Sequence, residues 1–152
     1  MPYTAPLKDM LFVMNALADL KAVQALPGFE DATDDTVYAV LDENARFMAE
    51  VVAPLNSVGD VKPSTWRAGQ VTASPGFAEA FRAFAQAGWQ GLQHPPQYGG
   101  QGLPKLVATP CLEMLQAANL SFALCPLLTD GAIEALLTVG SPEQRELYVP
   151  RL

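Results

Sequence analysis

The stretch KLVATPCLEMLQAANLSFALCPLLTDGAIEALLTV, residues 105–139, decides the fold class of this chain. Its apolar residues recur at intervals of three and four, which is the spacing of helices rather than strands. The pattern predicts one helix from Pro104 to about Asn119 and a second from about Ser121 to Val139. The second helix is expected to bend or restart at Pro126, because proline lacks a backbone N–H. Gly140 is expected to end it.

Helical spacing also covers most of the chain outside this pair. Residues 56–73 contain glycine and proline without a sustained period, so they predict a loop in which only Val71-Thr72 suggests an extended piece. No segment alternates convincingly with a period of two, and the sequence therefore predicts an all-α fold, a bundle of about six helices. The other predicted helices run from Pro6 to about Ala25, from the acidic segment 31–35 to Pro54, from Ser74-Pro75 to Gly88, and from the capping box at Ser141 onward.

The composition excludes several classes of protein. Half of the 152 residues are hydrophobic and 16% are charged, which excludes a disordered chain. Acidic residues outnumber basic residues by 16 to 9 and no two basic residues are adjacent, so nucleic-acid binding is not expected. Cys111, Cys125 and His94 are too few and too scattered for a zinc site. We therefore expect no metal and two reduced, buried thiols.

Two membrane-type interpretations are not favoured by the sequence. The uncharged run Met114–Thr129 has 16 residues, whereas a spanning helix needs about 20. The apolar run after Lys8 is similar to a signal peptide, but Asp9 and Asn15 disturb that pattern. The sequence thus predicts no membrane span and a cytoplasmic location.

The search for catalytic residues finds no complete motif. The glycines of residues 99–102 lack the spacing of a phosphate-binding loop and predict a tight turn with positive φ. His94 has no serine or cysteine partner, and a loop histidine beside two prolines is expected to be solvated. Glu113 and Glu134 interrupt apolar helices, which predicts ion pairs or a helix edge. The alternative is a functional carboxylate of perturbed pKa.

An apolar stripe on the second helix of the pair leaves two interpretations open. Such a stripe usually belongs to the core. The alternative is a hydrophobic slot for a ligand tail, since acyl chains need only apolar walls. The stripe comprises Leu124, Leu127, Leu128, Ile133, Leu136 and Leu137.

Three separated motifs in one order carry a resemblance to a known family. Residues 88–92 (GWQGL) and 96–102 (PQYGGQG) resemble the loop that precedes a helix pair in the N-terminal domain of acyl-CoA dehydrogenases. Residues 140–152 (GSPEQRELYVPRL) are similar to the segment that closes this domain. Residues 3–13 look like the extra leading helix of the larger members, which include the 3-methylmercaptopropionyl-CoA dehydrogenase-like branch.

The resemblance implies a flavoenzyme in which FAD oxidises the Cα–Cβ bond of an acyl-CoA thioester. It also implies an extension helix in residues 1–28 and a helical domain in residues 29–152. The FAD-binding β-domain and the C-terminal domain with the catalytic glutamate would lie outside these residues, so no catalytic residue is assigned and the chain alone is expected to be inactive. An electron-accepting flavoprotein and a homo-oligomer are the partners that the resemblance implies.

The resemblance further implies that residues 105–139 form one wall of the acyl pocket. Alignment on Gly140-Ser141 places five candidate substrate-binding residues nearest that wall: Ala123, Leu124, Leu127, Leu128 and Thr129. An alternative function is a non-catalytic helical module that binds a partner or an apolar ligand through an exposed apolar face.

Overall fold

Helices account for most of residues 3–152, the residues that the computed structural model describes. The predicted all-α fold is confirmed, with one small hairpin added to it. Short 3₁₀ turns cover Trp89–Gly91, Pro96–Tyr98 and Val149–Arg151. The elements are α1 (Leu7–Ala16), α2 (Leu20–Gln24), α3 (Asp34–Phe47), a π-helical turn (Met48–Val52), α4 (Pro54–Val61), β1 (Thr65–Arg67), β2 (Gln70–Thr72), α5 (Phe77–Gln86), α6 (Lys105–Ala118), α7 (Leu120–Val139) and α8 (Pro142–Tyr148).

The core lies between α3 with its π-helical turn, α6 and one side of α7. Leu41, Met48, Val107 and Met114 belong to this core, and all four are fully buried. Residues of α1 and α2 join the same core through Met10, Met14 and Leu20. The predicted extension therefore packs onto the rest of the domain rather than standing apart. Its first two residues, Met1 and Pro2, lie outside the described part of the chain.

The prediction of one continuous helix from Pro6 to about Ala25 is wrong. α1 ends at Ala16, and Asp19 adopts a left-handed conformation with φ of 52°. The Asp19 side chain then accepts a hydrogen bond from the Ala22 N–H at 3.2 Å and so caps α2. An aspartate tolerates this backbone conformation because its short side chain bonds locally.

Pro54 begins a helix instead of ending one. The Ala53 N–H donates to the Met48 carbonyl at 2.8 Å, a π-type bond that carries the helix across the junction. Pro54 then occupies the first position of α4, where its missing N–H leaves no helical bond unmade. The predicted loop at 56–73 is consequently shorter and contains the antiparallel hairpin β1–β2. The extended piece at Val71-Thr72 is confirmed as β2.

α5 begins at Phe77 rather than at the predicted Ser74-Pro75. Gly76, with φ of 82°, precedes the helix, and the Ser74 N–H donates to Ser64 Oγ at 3.2 Å. The helix has an aromatic face, and the rings of Phe77, Phe81 and Phe84 lie 5.9, 6.3 and 6.0 Å from that of Phe122 on α7. This aromatic cluster fixes α5 against α7.

The helix pair and the closing capping box follow the prediction. α6 and α7 have the expected extents, α7 continues through Pro126 without a restart, and Gly140 ends it. The Gln144 N–H donates to Ser141 Oγ at 3.3 Å, while the Ser141 N–H donates to Gln144 Oε1 at 2.9 Å. These reciprocal bonds form the capping box that starts α8.

Candidate functional site

The loop between α5 and α6 folds back on itself through backbone hydrogen bonds. The Gln101 N–H donates to the Gly91 carbonyl at 2.8 Å and the Gly102 N–H to the His94 carbonyl at 2.9 Å. A Cβ on Gly100 would lie 2.0 Å from that His94 oxygen, so this position requires glycine for close approach. Gly99 and Gly102 have the positive φ that the sequence predicts. The glycine run is therefore a tight structural turn.

Three side chains of this loop dock onto α7 at positions one helical turn apart. Gln90 Nε2 donates to the Pro126 carbonyl at 3.2 Å, and Gln93 Nε2 donates to Asp130 Oδ1 at 2.6 Å. His94 Nε2 lies 2.8 Å from the same Asp130 oxygen. The loop is thus attached to α7 by polar contacts on a largely apolar helix.

The prediction that His94 is solvated is wrong. Its side chain is buried, with the residue only 3% exposed. The turn places the histidine under α7, where the carboxylate of Asp130 lies 2.8 Å from Nε2 although neither ring nitrogen makes an aligned hydrogen bond within residues 3–152. A buried histidine requires such a partner, and local spacing could not reveal it because Asp130 lies far along the chain.

A pocket of about 80 Å³ lies beneath this loop, between α3, α6 and α7. Its inner end is formed by buried side chains, namely Asn44, Met48, Phe84, Cys111 and Leu115. Its mouth is formed by the more exposed residues Gln90, Gln93, Thr109 and Asp130. The pocket therefore has a mostly apolar interior and a polar rim, the usual design of a site for a small organic group.

Two polar atoms of residues that line the pocket have no hydrogen-bond partner among residues 3–152. They are Asn44 Oδ1 and Trp89 Nε1, and both atoms are buried. Cys111 also lines the pocket. Burial raises the pKa of its thiol to about 12. The Cys111 thiol stays neutral at physiological pH and serves as an apolar wall rather than a nucleophile.

The structure does not bring the five predicted substrate-binding residues together. Ala123 is fully buried in the core, whereas Leu124 and Leu128 are 52% and 73% exposed on another side of α7. Leu127 and Thr129 are partly buried between these sides. None of the five lines the pocket, which α7 reaches through Pro126 and Asp130. Ala123 and Leu124 are adjacent in the helix and therefore point about 100° apart, one towards the core and one towards the outside.

Sequence reasoning missed Asn44, Met48, Phe84 and Asp130 as residues of the site. The helical periodicity did show that α3 and α5 have buried faces, but it carried no information on which of those residues meet at one pocket.

α7 presents an exposed apolar face to the outside of the domain. Leu124 and Leu128 lie on it, so the expectation that they belong to the core is wrong, although Ile133 is buried as expected. Cys125 is also exposed, contrary to the prediction of two buried thiols. By length and composition α7 could cross a membrane, with a mean hydropathy of 1.6 and 22% of its most apolar stretch buried. A single helix of this kind is weak evidence for a membrane span. In this structure Asp130 of the helix contacts Gln93 and His94 of the loop between α5 and α6.

The two glutamates within apolar helices have structural surroundings. Glu134 lies 2.9 Å from Lys105 Nζ, which is the expected ion pair. Glu113 is exposed at a helix edge, and its charge adds to burial in raising the pKa of Tyr3. Neither carboxylate has the enclosed setting of a catalytic base. Within residues 3–152, no group of three or more His, Cys, Asp or Glu residues could hold a metal ion.

The all-α fold and the glycine-rich loop between α5 and α6 agree with a known family of helical domains. A family model described as "Acyl-CoA dehydrogenase, N-terminal domain" matches residues 34–152. The chain therefore belongs to the acyl-CoA dehydrogenase family.

Two relatives align along nearly the whole chain. The chain is 40% identical to 3-methylmercaptopropionyl-CoA dehydrogenase of Ruegeria pomeroyi over 152 residues, which are 100% of this chain and 26% of that protein. It is 25% identical to butyryl-CoA dehydrogenase of Syntrophomonas wolfei over 154 residues, covering 99% of this chain and 25% of that protein. The chain thus spans about a quarter of the length of the relatives it matches.

The residues described do not fit FAD by themselves. The pocket under the loop is far below the roughly 300–1,000 Å³ of typical ligand sites. A second hollow of about 310 Å³, between the loop and the turn Val149–Arg151, offers a single arginine to a cofactor that carries a pyrophosphate. The sequence also lacks a dinucleotide-binding glycine motif. Binding of the flavin would therefore require residues beyond these.

Proposed function

We propose that this chain is the N-terminal helical domain of an FAD-dependent acyl-CoA dehydrogenase and that it forms one wall of the acyl pocket. The observation that carries the proposal is the apolar pocket between α6 and α7, covered by the family's loop and rimmed by polar residues. Both relatives are named as dehydrogenases of acyl-CoA thioesters, which supports a substrate of that class.

The size of the pocket supports a contribution of one wall only. At about 80 Å³, it can take the end of an acyl chain but not the thioester, the nucleotide part of coenzyme A or a flavin. The reacting carbons and their catalytic base would lie against other domains of the complete enzyme. The chain alone is therefore inactive in this proposal.

The exposed face of α7 also supports the proposal that other domains of the complete enzyme supply the rest of the active site. Leu120, Leu124 and Leu128 are each more than half exposed, which is costly for a helix of an isolated domain. In the complete enzyme this face would be covered by another domain or subunit. A homo-oligomer and an electron-accepting flavoprotein are the further partners that we propose.

A cytoplasmic location is also part of the proposal. It is supported by α1, whose Met10 and Met14 are buried in the domain core. A cleaved leader would not be expected to contribute to the core in this way.

The test is to express two proteins, residues 1–152 alone and the longest open reading frame that begins with them. The longer protein is expected to purify yellow, with flavin absorbance, and to oxidise butyryl-CoA with a dye as electron acceptor. The 152-residue protein is expected to do neither. Flavin binding and turnover by residues 1–152 alone would contradict the one-wall proposal.

A second candidate function rests on the same exposed face of α7. A stop codon directly after Leu152 would favour a non-catalytic module that binds a partner or an apolar ligand. In that case no protein containing residues 1–152 would oxidise an acyl-CoA, and the enzyme proposal would be withdrawn.

A further inference from the structure

The hairpin β1–β2 is not covered by the rest of the domain. Every residue from Asp60 to Ala73 is exposed, and Trp66 and Val71 are each 73% exposed. These two residues pair across the strands, so their side chains share one face of the hairpin. A two-stranded hairpin is only marginally stable in water unless another element packs against its apolar face. This apolar face is therefore suited to a partner that residues 3–152 of the same chain do not supply.

The turn of the hairpin fixes which side chains share that face. Ala68 and Gly69 connect the two strands, and both have positive φ, 51° and 80°. Two-residue turns with positive φ match the twist of the strands and set their register. Trp66 and Val71 are thus held side by side before any partner binds.

The hairpin and its flanks carry positive charge in an acidic chain. Residues 62–73, called the arm from here on, contain two of the nine basic residues, Lys62 and Arg67, and none of the sixteen acidic residues. Within residues 3–152 neither Lys62 nor Arg67 forms a salt bridge. A surface that combines an apolar side chain with unpaired carboxylates would complement this arm.

The outer face of α3 has that complementary composition. Tyr38 is 54% exposed, and Asp35 and Asp42 lie three residues before it and four residues after it, on the same side of the helix. Asp35 and Asp42 form no salt bridge within residues 3–152, whereas Asp34 and Glu43 of the same helix each have a cation partner. The α3 face therefore presents one aromatic ring between two unpaired carboxylates.

Two other exposed aromatic side chains, outside the aromatic cluster of α5, have different surroundings. Each has at least one basic residue within one helical turn: Phe12 has Lys8, and Tyr148 has Arg145 and Arg151. Positive charge at these places would oppose the two cations of the arm. Tyr38 has no basic residue at such a distance along the chain, which selects the α3 face.

We propose that the arm binds the outer face of α3 in a second copy of this chain. Trp66 and Val71 cover the ring of Tyr38 there, and the two arm cations pair with the two carboxylates beside that ring. In a two-fold dimer the contact occurs twice, since each copy has both an arm and an α3 face. The proposal names a surface of the proposed homo-oligomer and rests on that part of the proposed function.

A carbodiimide cross-link tests the contact in the complete enzyme, because the reagent joins an amine directly to a carboxylate without a spacer. Reagent is raised until Lys21 is joined to Asp34, a pair 2.5 Å apart within one chain that serves as the internal control. A denaturing gel is then expected to show a covalent dimer, in which mass spectrometry finds Lys62 joined to Asp35 or Asp42. Formation of the control link without either of these links would overturn the proposal.

A substitution on the apolar face tests the hairpin and keeps the reacting amine. Trp66→Ser is expected to lower the yield of covalent dimer at least about tenfold, since tryptophan is typical of the residues that dominate binding at interfaces. Phe12→Ser, at an aromatic position that is 65% exposed on α1, is the matched control and should leave the yield unchanged. An equal yield from Trp66→Ser and the wild type would overturn the docking of this face.

Charge reversal tests the pairing of the arm with α3. Lys62→Glu together with Arg67→Glu is expected to abolish the covalent dimer. Adding Asp35→Lys and Asp42→Lys to the same chain is expected to restore it, because the two surfaces are complementary again. A folded fourfold variant without the covalent dimer would overturn the charge pairing. If that variant does not fold, the Trp66→Ser result still decides the question.

The failure of this contact is distinguishable from the failure of the proposed function. An enzyme that oxidises acyl-CoA but lacks the Lys62 cross-link would overturn the contact alone. A protein that forms the cross-link but oxidises no acyl-CoA would overturn the proposed activity and leave the contact in place.

Discussion

Asp130 is the residue that joins the loop to α7. It accepts a hydrogen bond from Gln93 at 2.6 Å and lies 2.8 Å from His94, which is almost completely buried. Removing the carboxylate would take the hydrogen bond from Gln93 and the neighbouring charge from buried His94, and the loss of a hydrogen-bond partner in a buried setting destabilises a protein by about 1–3 kcal/mol. The contact therefore fixes the cover of the pocket.

We predict that Asp130→Ala lowers the free energy of unfolding by about 1–3 kcal/mol, measured by urea denaturation followed by circular dichroism. A double-mutant cycle with His94→Ala should show that the two substitutions are not additive. Asp60→Ala, at an exposed position of α4, is the control and should change stability by less than about 0.5 kcal/mol. Equal effects for Asp130→Ala and the control would show that the contact is not stabilising.

The two cysteines are predicted to differ in reactivity. Cys111 is buried, with a pKa of about 12, whereas Cys125 is exposed. Because the thiolate is the reactive form, Cys111 should resist an alkylating reagent at about pH 8. Mass spectrometry of the native 152-residue protein should find the reagent on Cys125 only, and the unfolded protein should carry it on both. Rapid labelling of native Cys111 would contradict the packing at the pocket's inner end.

At the scale of elements, one exposed ion pair links α2 to α3. Lys21 Nζ lies 2.5 Å from Asp34 Oδ2, and Gln24 Nε2 donates to Asp34 Oδ1 at 3.0 Å. The hydrogen bond from Lys21 and that from Gln24 hold the pKa of the Asp34 carboxyl below its ordinary value of 3.8. The contact lies at the N-terminus of α3, where a negative charge is also favoured by the helix dipole.

The sign of the pH dependence follows from the lowered pKa. The Asp34 contribution to stability is fully present above pH 3.8 and is lost as the pH falls through the lower pKa of the folded state. We predict that Lys21→Met returns the pKa of Asp34 towards 3.8, which an NMR titration of its side-chain carbonyl would measure. The stability difference between Lys21→Met and the wild type should shrink as the pH falls through the lowered pKa of Asp34 and disappear once that carboxyl is protonated in the folded state. A difference that persists there would assign the effect to the lysine stem rather than to its charge.

The sequence could predict the elements whose signals are local. The spacing of apolar residues predicted α6 and α7, and the order Ser141, Pro142, Gln144 predicted the capping box of α8. The positions at which one helix ends and the next begins were predicted less well. Asp19 ends a helical pattern through its own backbone conformation, and Pro54 occupies a helix start that is reached through a π-helical turn. Both outcomes depend on how neighbouring elements pack, and the spacing of apolar residues carries no information about that packing.

At the scale of the whole molecule, the candidate site could not be predicted from sequence spacing. The pocket takes Asn44 from α3, Phe84 from α5, Leu115 from α6 and Asp130 from α7. These residues are brought together only by the tertiary fold. The motif resemblance identified the family and the helix pair, and the five residues that the alignment selected on α7 lie partly in the core and partly on the surface.

The exposed face of α7 distinguishes an isolated domain from one part of a larger enzyme. Leu128 is 73% exposed, so we predict that Leu128→Asp changes the stability of residues 1–152 by less than about 0.5 kcal/mol. In the complete enzyme the same substitution would place a charge in an apolar interface, which is strongly unfavourable. Flavin content and the melting temperature of the complete enzyme should therefore fall.

Ala78→Asp, at an exposed position of α5, provides the control and should leave both proteins unchanged. A complete enzyme that keeps its flavin and its melting temperature with Leu128→Asp would show that this face stays free in the assembly. The apolar surface of α7 would then be available to a separate partner, as the alternative function requires. Loss in the complete enzyme together with an unaffected 152-residue domain would instead show that the face belongs to an interface within the enzyme, because the two results cannot both follow from a local defect in α7.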